Sequence, residues 1–240
     1  VPFSFNGPDK QPQGYSVDLC KVIAEDLAKD LKIEKLDVRW VPLNAQNRFE
    51  AVKSGKVDIE CGNTTQTLGR RADFDFSIMT YADGASLLFR KGGIPVGSDH
   101  LTGQRIAVVA GTTTEKALEA LGASARLGAT LVPVPNHEAA IKALTGGTVT
   151  AYAADRTVLM TIALGTGGPA AFDLSPIQFT YEPYGLMMRP DQGLRLAVDR
   201  SLARLYRSGA VIPIFQRWFG QLGAPGEGFK IMFLLNSLPE

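Results

Sequence analysis

Several features that would assign a protein class are scarce in this chain. Among its 240 residues it has two cysteines and two histidines. Two cysteines are too few for a disulfide framework, and Cys20 and Cys61 do not have the spacing of metal ligands. A single bridge and two buried thiols are both compatible with this pattern. No apolar run reaches the roughly 18 residues that a membrane-spanning helix requires.

An excess of charge of one sign is also lacking. The 25 basic and 24 acidic residues leave a formal net charge of +1, which gives no electrostatic case for binding nucleic acid or an anionic membrane. A chain of this length forms one large domain or two lobes of ordinary size. Its start, Val1-Pro2-Phe3, has neither a basic nor a strongly apolar leader, so we expect that a signal peptide has been removed.

Hydrophobic periodicity predicts alternating helices and strands along the first part of the chain. With Ser16 as its cap, an apolar stripe that recurs every four residues from Leu19 to Leu31 predicts a helix of about four turns. Leu36, Val38 and Trp40 alternate with polar residues, as in a half-buried strand. The next predicted elements are a short helix over 49–53 and a buried strand over 57–61. This order indicates a mainly parallel sheet covered by helices.

A second part of the chain repeats this order. A strand is predicted over 106–109, and Thr112 with Glu115 has the spacing of a capping box, so the next helix begins where the strand ends. Such a helix start is a ready anion site. His100 is interpreted as a surface loop residue, and Trp218 and Phe219 as core residues. The other predicted elements are strands over 131–134 and 149–154, helices over 138–144, 157–164, 194–207 and 211–219, and a Gly/Pro-rich tail.

The turn after the strand at 57–61 is the most informative stretch. It places Asn63, Thr65 and Arg70 at the carboxyl end of that strand, where open α/β sheets bind their ligands. An arginine can hold a carboxylate with two parallel hydrogen bonds. The turn therefore indicates a site for a small carboxylate. The alternative is that Arg70 is a surface arginine and that the threonines cap a helix.

Nine segments occur in an order that we recognise from one protein family. They are Val1–Phe5, Gly14–Asp18, Gln46–Arg48, Gly62–Thr65, Phe76–Ser77, Gly111–Thr113, Asn136–His137, Asp155 and Trp218–Gly220. Together they resemble the extracytoplasmic solute-binding proteins of polar amino-acid ABC transporters, closest to the glutamate/aspartate-binding branch. The resemblance covers essentially the whole chain.

The resemblance implies an α/β protein with a type II periplasmic-binding-protein-like fold. Each of two lobes would contain a mainly parallel sheet with flanking helices. Lobe 1 would comprise 1–81 and 186–240, lobe 2 would comprise 86–181, and two hinge crossings would lie near 80–86 and 182–186. L-Glutamate or L-aspartate would bind in the interlobe cleft and be delivered to a membrane permease, with no catalytic residue, metal or cofactor. The implied ligand-binding residues are Arg48, Asn63, Thr65, Arg70, Thr113, His137 and Asp155.

Each implied residue has a role that suits a charged amino acid. Arg70 would hold the α-carboxylate with two threonine hydroxyls, and Asp155 would meet the α-ammonium with Thr65 and the carbonyl of residue 63. Arg48 and His137 would bind the side-chain carboxylate. A zwitterion needs one cationic and one anionic partner, and a dicarboxylate needs a second cation, because burying an unpaired charge is costly.

The chain departs from the family pattern at two places. Ala45 stands where the acidic-ligand branch has a serine, so one hydroxyl donor to the side-chain carboxylate is absent. The family also has a strand and a loop ahead of the Pro-Phe segment, and we expect that this part has been trimmed from the chain.

Two other functions use the same fold and stay open at this point. One is the ligand-sensing ectodomain of a signalling receptor. The other is an enzyme of the cyclohexadienyl dehydratase type, with His137 and Asp155 as an acid/base pair. Otherwise we expect a monomer in the periplasm that binds no nucleic acid.

Overall fold

The computed structural model describes residues 1–93, 101–123 and 128–239 of the chain, so His100 lies outside the described residues. The chain divides into two compact units. The first comprises Val1–Leu43, Arg48–Ala82 and Pro183–Glu240, and the second comprises Asn44–Asn47 and Asp83–Glu182. Across the described ranges, no helix is both long enough and apolar enough to cross a bilayer.

The first helix of the first unit is predicted correctly from the sequence. Its Gly14 has a φ of 132°, and a Cβ there would overlap the Phe3 carbonyl. Ser16, which we expected to cap the helix, lies within it, and Leu19 and Ile23 on its apolar stripe are buried. The elements up to residue 76 are β1 (Phe5–Asn6), β2 (Pro12–Gln13), α1 (Tyr15–Asp30), α2 (Arg48–Lys53), β3 (Ile59–Glu60), α3 (Leu68–Arg71) and β4 (Asp75–Phe76).

The strand predicted around Val38 is wrong. The structure describes the whole of 1–93 and assigns no strand between α1 and α2, and Val38 and Trp40 are 40% and 36% exposed. Alternating polarity describes one face of a strand, but a strand also needs a neighbour for its backbone hydrogen bonds. The strand predicted over 57–61 is reduced to the two residues of β3, because only these pair with a neighbouring strand, antiparallel to Met187 and Met188.

The second unit is built on a five-stranded sheet. Its elements, with the two strands in which the chain passes between the units, are β5 (Tyr81–Asp83), β6 (Ala85–Arg90), β7 (Arg105–Val109), α4 (Thr113–Ala123), β8 (Thr130–Val134), α5 (His137–Thr145), β9 (Ala151–Asp155), α6 (Arg156–Gly165), β10 (Phe172–Leu174) and β11 (Glu182–Tyr184). The strand order is β10-β6-β9-β7-β8, and β5 pairs with β11. Strand β7 is parallel to β8 and β9, whereas β6 is antiparallel to β9 and β10.

Both faces of this sheet are buried. Ile106 and Val108 belong to one apolar cluster, with Leu118 of α4, while Ala107 and Val109 belong to another, with Leu144 of α5 and others. Because successive residues of a strand point to opposite faces, a strand that is apolar at every position must be covered on both sides. The helices cover the two faces. The polar residues lie at the strand ends, where they are candidates for a functional site.

The chain then completes the first unit. Its last elements are β12 (Met187–Met188), α7 (Gln192–Arg207), α8 (Val211–Phe219) and α9 (Glu227–Leu235). Strand β12 lies between β3 and β4. The predicted Gly/Pro-rich tail is wrong over α9, whose Phe229 and Phe233 pack on an aromatic cluster with Tyr81 and Phe215. Phe219 is buried in that cluster, whereas Trp218 is only half-buried and donates its indole N–H to Asp18 at 2.8 Å.

Cys20 and Cys61 form a disulfide bond across 41 residues of sequence. The bond joins α1 to the residue that follows β3. A closed loop of this length removes conformational entropy from the unfolded chain, worth about 3–4 kcal/mol. A bridge also suits an oxidising compartment.

We therefore expect reduction of this disulfide to lower the melting temperature by roughly 10 °C, since about 1 kcal/mol corresponds to roughly 2–4 °C for a chain of this size. Scanning calorimetry with and without reductant measures the shift. A protein carrying both Cys20→Ser and Cys61→Ser should melt at the reduced temperature and not respond to reductant. Equal melting temperatures for all samples would contradict a stabilising bridge.

Candidate functional site

In the first unit, the turn that follows β3 is fixed by hydrogen bonds to neighbouring segments. The Ser16 hydroxyl donates to the Gly62 carbonyl at 2.7 Å. The Gln66 N–H donates to the Pro183 carbonyl at 2.8 Å, and Thr65 forms an isolated antiparallel bridge with Tyr184. Asn63 is half-buried within this turn and Thr65 is buried. The turn is therefore a rigid platform rather than a loose connection.

Arg70 is positioned by the same turn. The Thr67 hydroxyl accepts a hydrogen bond from the Arg70 N–H at 3.1 Å and so caps α3. The Arg70 guanidinium donates to the Thr65 carbonyl at 2.8 Å and lies 5.0 Å from the centre of the Phe49 ring. A threonine thus caps a helix, as one interpretation of the sequence proposed. However, Arg70 is half-buried and held at two places, unlike a mobile surface arginine.

Arg48 lies on the same aromatic ring. It is the first residue of α2, and its guanidinium carbon is 5.1 Å from the centre of the Phe49 ring. The structure thereby brings two predicted ligand-binding arginines together around one aromatic side chain. Phe49 was not identified as a site residue from the sequence, because a single apolar residue in a short helix is typical of a core position. We call Arg48, Phe49, Thr65 and Arg70 the first-unit cluster.

In the second unit, the predicted residues follow the carboxyl ends of three strands. Because β7, β8 and β9 are parallel, their ends meet at one edge of the sheet, where α/β proteins bind ligands. Thr112 caps α4 by accepting from the Glu115 N–H at 3.2 Å. The side-chain amide of Gln46 donates to the carbonyls of Ala110 and Pro135, at 3.2 and 3.1 Å, and ties its segment to this edge.

Thr113 begins α4 at this edge and contacts a carboxylate of the same unit. Its hydroxyl donates to Glu182 at 2.7 Å. Glu182 is only 2% exposed and lies at the start of β11. No pattern in the sequence identified Glu182, since a single acidic residue before a proline carries no periodic signal. The hydroxyl assigned to a ligand carboxylate is thus engaged by a buried protein carboxylate.

His137 and Asp155 each interact with Tyr152. The Tyr152 hydroxyl is hydrogen-bonded to Nδ1 of His137. Burial raises the pKa of Tyr152 well above its usual value, and the negative charge of Asp155 raises it further. This phenol therefore stays protonated, next to both predicted ligand residues. We call Thr113, His137, Tyr152 and Asp155 the second-unit cluster.

Helix capping is an alternative role for His137 and Asp155, because each lies at a helix start, but other residues provide the capping hydrogen bonds. Asn136 caps α5 by accepting from the Ala139 N–H at 2.8 Å. Asp83 on β5 accepts from the Thr157 N–H at 3.0 Å and so caps α6. Burial raises the pKa of Asp83, although its hydrogen bonds oppose the shift. Asp155 instead lies within 3.5 Å of the Thr114 hydroxyl. Helix capping does not account for either residue.

Within residues 1–93, 101–123 and 128–239, no group of three or more His, Cys, Asp or Glu side chains is placed to hold a metal ion. The polar residues of both clusters are hydroxyls, guanidiniums, an imidazole and a carboxylate. Such groups suit the recognition of a charged organic solute by hydrogen bonds and ion pairs.

Curated proteins of similar sequence are amino-acid-binding proteins. The "L-glutamate/L-aspartate-binding protein" of Pseudomonas aeruginosa is 32% identical over 98% of this chain and 78% of its own length. The "Glutamate/aspartate import solute-binding protein" of Salmonella typhimurium is 30% identical over 91% of this chain and 73% of its own length. Neither is named as an enzyme.

Solved structures of similar fold include binding proteins and one precursor of an enzyme. The ligand-binding core of GluR0 from Nostoc punctiforme in complex with L-glutamate is 25% identical, with a TM-score of 0.76 over 91% of this chain and 96% of its own. An ancestral amino acid-binding protein described as a precursor of cyclohexadienyl dehydratase is 26% identical, with a TM-score of 0.75 over 91% and 90%.

These likenesses confirm the predicted fold class, an α/β protein of the type II periplasmic-binding-protein kind. The model of one protein family, described as bacterial extracellular solute-binding proteins, family 3, matches residues 1–221. It covers most of the chain, including every residue of both clusters. This chain belongs to the bacterial extracellular solute-binding proteins of family 3.

Proposed function

We propose that this protein reversibly binds an acidic L-amino acid, glutamate or aspartate, and delivers it to the permease of an ABC importer. The observation that carries the proposal is the first-unit cluster, in which Arg48 and Arg70 share the Phe49 ring. Two fixed guanidiniums suit a ligand with two carboxylates, because each can hold one carboxylate in a bidentate pair. The names of the two bacterial relatives point to the same ligands.

The second-unit cluster offers the complementary charges. In our proposal Asp155 binds the α-ammonium, together with Thr65 and the carbonyl of Asn63. His137, oriented by Tyr152, binds the side-chain carboxylate with Arg48. Arg70 holds the α-carboxylate, with help from Thr65. Thr113 contributes from the start of α4, where the helix dipole favours an anion.

We propose binding without chemical turnover. The relatives are named as binding proteins, although one structural neighbour is an enzyme precursor. An acid/base pair of His137 and Asp155 is the specific alternative. Incubation with prephenate and arogenate tests it, and we expect no conversion. Conversion that is lost on replacing His137 would overturn a purely binding role.

The family supports a proposal for the location and the partners of the protein. We propose that the protein acts as a monomer outside the cytoplasm, in the periplasm, after removal of a signal peptide. The Cys20–Cys61 bridge supports an oxidising location. Cross-linking to the permease in membranes that carry the importer tests the partner. Sedimentation at equilibrium tests the monomer.

Titration calorimetry with single amino acids tests the ligand. We expect saturable one-to-one binding of L-glutamate or L-aspartate and at least tenfold weaker binding of arginine. The reason is that the two guanidiniums of the first-unit cluster repel a cationic side chain. Like charges brought together at a binding site cost several kcal/mol of binding free energy. D-Glutamate serves as the stereochemical control. If neither acidic amino acid binds but a neutral polar one does, the assignment of the ligand is contradicted.

A further inference from the structure

Glu60 is a buried carboxylate to which the proposed ligand contacts give no role. It ends β3, and its residue is 8% exposed. A Cβ at position 62 would overlap Oε1 of Glu60, so the carboxylate lies directly against the Gly62 backbone. Strand β12 places Met187, which carries no charge, opposite Glu60. The Glu60 side chain therefore has an uncharged neighbour on the β12 side, so its polar partners must come from other segments.

Three buried polar atoms around this carboxylate are unsatisfied. They are Oε2 of Glu60, Nε of Arg48 and Oγ1 of Thr64, and none has a hydrogen-bond partner in the part of the chain that the structure describes. Buried polar groups nearly always have partners, since an unsatisfied one is costly. One buried acceptor, one buried donor and one hydroxyl that can act as either, all without partners, indicate a bound polar group that the folded chain itself does not supply.

The charges around Glu60 come from two helices. Burial raises the pKa of Glu60, opposed first by the charge of Arg48 on α2, then by the nearby Thr64 hydroxyl and the charge of Arg70 on α3. The Thr64 hydroxyl is near enough to the carboxylate to lower its pKa, although it has no partner with good hydrogen-bond geometry. Cys61 does not titrate, because it is in the disulfide. Glu60 is thus a carboxylate balanced between two cations and its own desolvation.

We propose that Glu60 sets the charge of the first-unit cluster and takes up a proton from solvent when a dicarboxylic amino acid binds. This inference rests on the proposed function and adds a residue to it. With Glu60 ionised, one of the two guanidinium charges is neutralised, which suits a ligand with one carboxylate, such as glutamine. With Glu60 protonated, both guanidiniums are available, and its O–H can donate to the ligand.

The proton balance fixes the sign of the pH dependence. A ligand carboxylate near Arg48 is a like charge to Glu60, so it disfavours the ionised form and raises the pKa of Glu60 in the complex. Between the pKa of the free protein and that of the complex, glutamate affinity falls as pH rises, by up to about tenfold per pH unit. No bond in the ligand changes, and the proton joins the Glu60 carboxylate alone.

Titration calorimetry in buffers of different ionisation enthalpy measures this proton uptake. We expect the wild-type protein to take up a substantial fraction of a proton with L-glutamate and clearly less with L-glutamine. The comparison with Glu60→Gln isolates the part of the uptake that is due to Glu60 from that of every other group. That variant is neutral and can donate, as the protonated carboxyl does. At a pH above the pKa of Glu60 in the free protein, it should bind glutamate on the order of tenfold more tightly and take up fewer protons, with glutamine affinity changed by less than about threefold.

Two further variants make the test specific. Glu50→Gln removes an acidic charge from an exposed position of α2, two residues from Arg48, and should alter neither the proton uptake nor the preference. Gly62→Ala should displace the Glu60 carboxylate and lower the uptake as Glu60→Gln does.

Each outcome decides between the two proposals. Glutamate binding with the same proton uptake in wild type and Glu60→Gln would overturn the role of Glu60 and leave the proposed function standing. If ordered water alone binds the three atoms, proton uptake is again the same in both proteins, and the role of Glu60 is overturned. A wild-type protein that binds no acidic amino acid would overturn both. If Glu60→Gln does not fold, the uptake of the wild-type protein decides: equal uptake with glutamate and glutamine refutes the inference.

Discussion

Replacing Arg70 with alanine is expected to weaken L-glutamate binding by about 100- to 1,000-fold. A charge-assisted hydrogen bond contributes about 1.5–3 kcal/mol, and a bidentate pair with the α-carboxylate has two of them. Each 1.4 kcal/mol changes affinity about tenfold. The guanidinium is already held by the Thr65 carbonyl and the Phe49 ring, so little conformational freedom is lost on binding. Titration calorimetry measures the loss directly.

A ligand that lacks the contacted group shows whether Arg70 acts on the α-carboxylate. 4-Aminobutyrate is glutamate without that carboxylate. The wild-type protein should strongly prefer glutamate over 4-aminobutyrate, and Arg70→Ala should remove most of that preference. Arg70→Lys keeps the charge but cannot form the bidentate pair, so it should recover only part of the affinity.

The matched control for Arg70 is Arg71→Ala. It removes the same charge from the next residue of α3, which is exposed, and should change affinity by less than about threefold. Melting temperatures of all variants report any damage to the fold. An Arg70→Ala protein that melts like the wild type and binds glutamate with unchanged affinity would remove Arg70 from the site.

The sequence predicted those elements whose signals are local. Helix α1 has an apolar stripe with a four-residue spacing, and the predominantly apolar strands β7 and β9 occur close to where they were predicted. Helix α8 begins and ends at the predicted residues. In each of these elements the pattern of burial along the chain is the pattern of the secondary structure, so one sequence suffices.

The errors occur where structure depends on a distant partner. The alternation around Val38 needs a neighbouring strand, which a local pattern does not reveal. Helix α9 is stabilised by aromatic contacts with residues far along the chain, such as Tyr81, and the flanking glycines concealed it. The Cys20–Cys61 bond required knowing that α1 and the end of β3 lie side by side.

The site shows the same division. Arg48 and Arg70 were proposed from motifs, but only the structure shows that both contact Phe49. Glu60 and Glu182 occur singly in apolar or turn-like sequence, so no spacing distinguishes them from surface acids. Their burial is a property of the fold, and it makes each a functional candidate, because an ionisable group is seldom buried without a partner.

Replacing Asp155 with asparagine is expected to weaken L-glutamate binding by roughly 100-fold. Asparagine preserves the size of the side chain and its ability to accept from the Thr114 hydroxyl, so the change removes mainly the charge. Loss of one partner of a buried, hydrogen-bonded charge pair costs about 2–5 kcal/mol, and roughly 2.7 kcal/mol corresponds to 100-fold. Because Asp83 caps α6, the helix should keep its stability.

Glutarate, which is glutamate without its ammonium group, makes the Asp155 test specific. The wild-type protein should bind glutamate far more tightly than glutarate, since Asp155 attracts the ammonium and, without it, repels the dianion. In Asp155→Asn the two ligands should bind within about threefold of each other. Glu138→Gln removes an acidic charge from an exposed position of α5 beside His137 and should leave the preference intact. If Asp155→Asn still discriminates glutamate from glutarate as the wild type does, the ammonium is bound elsewhere, and the charge pattern that we assign to the two clusters is wrong.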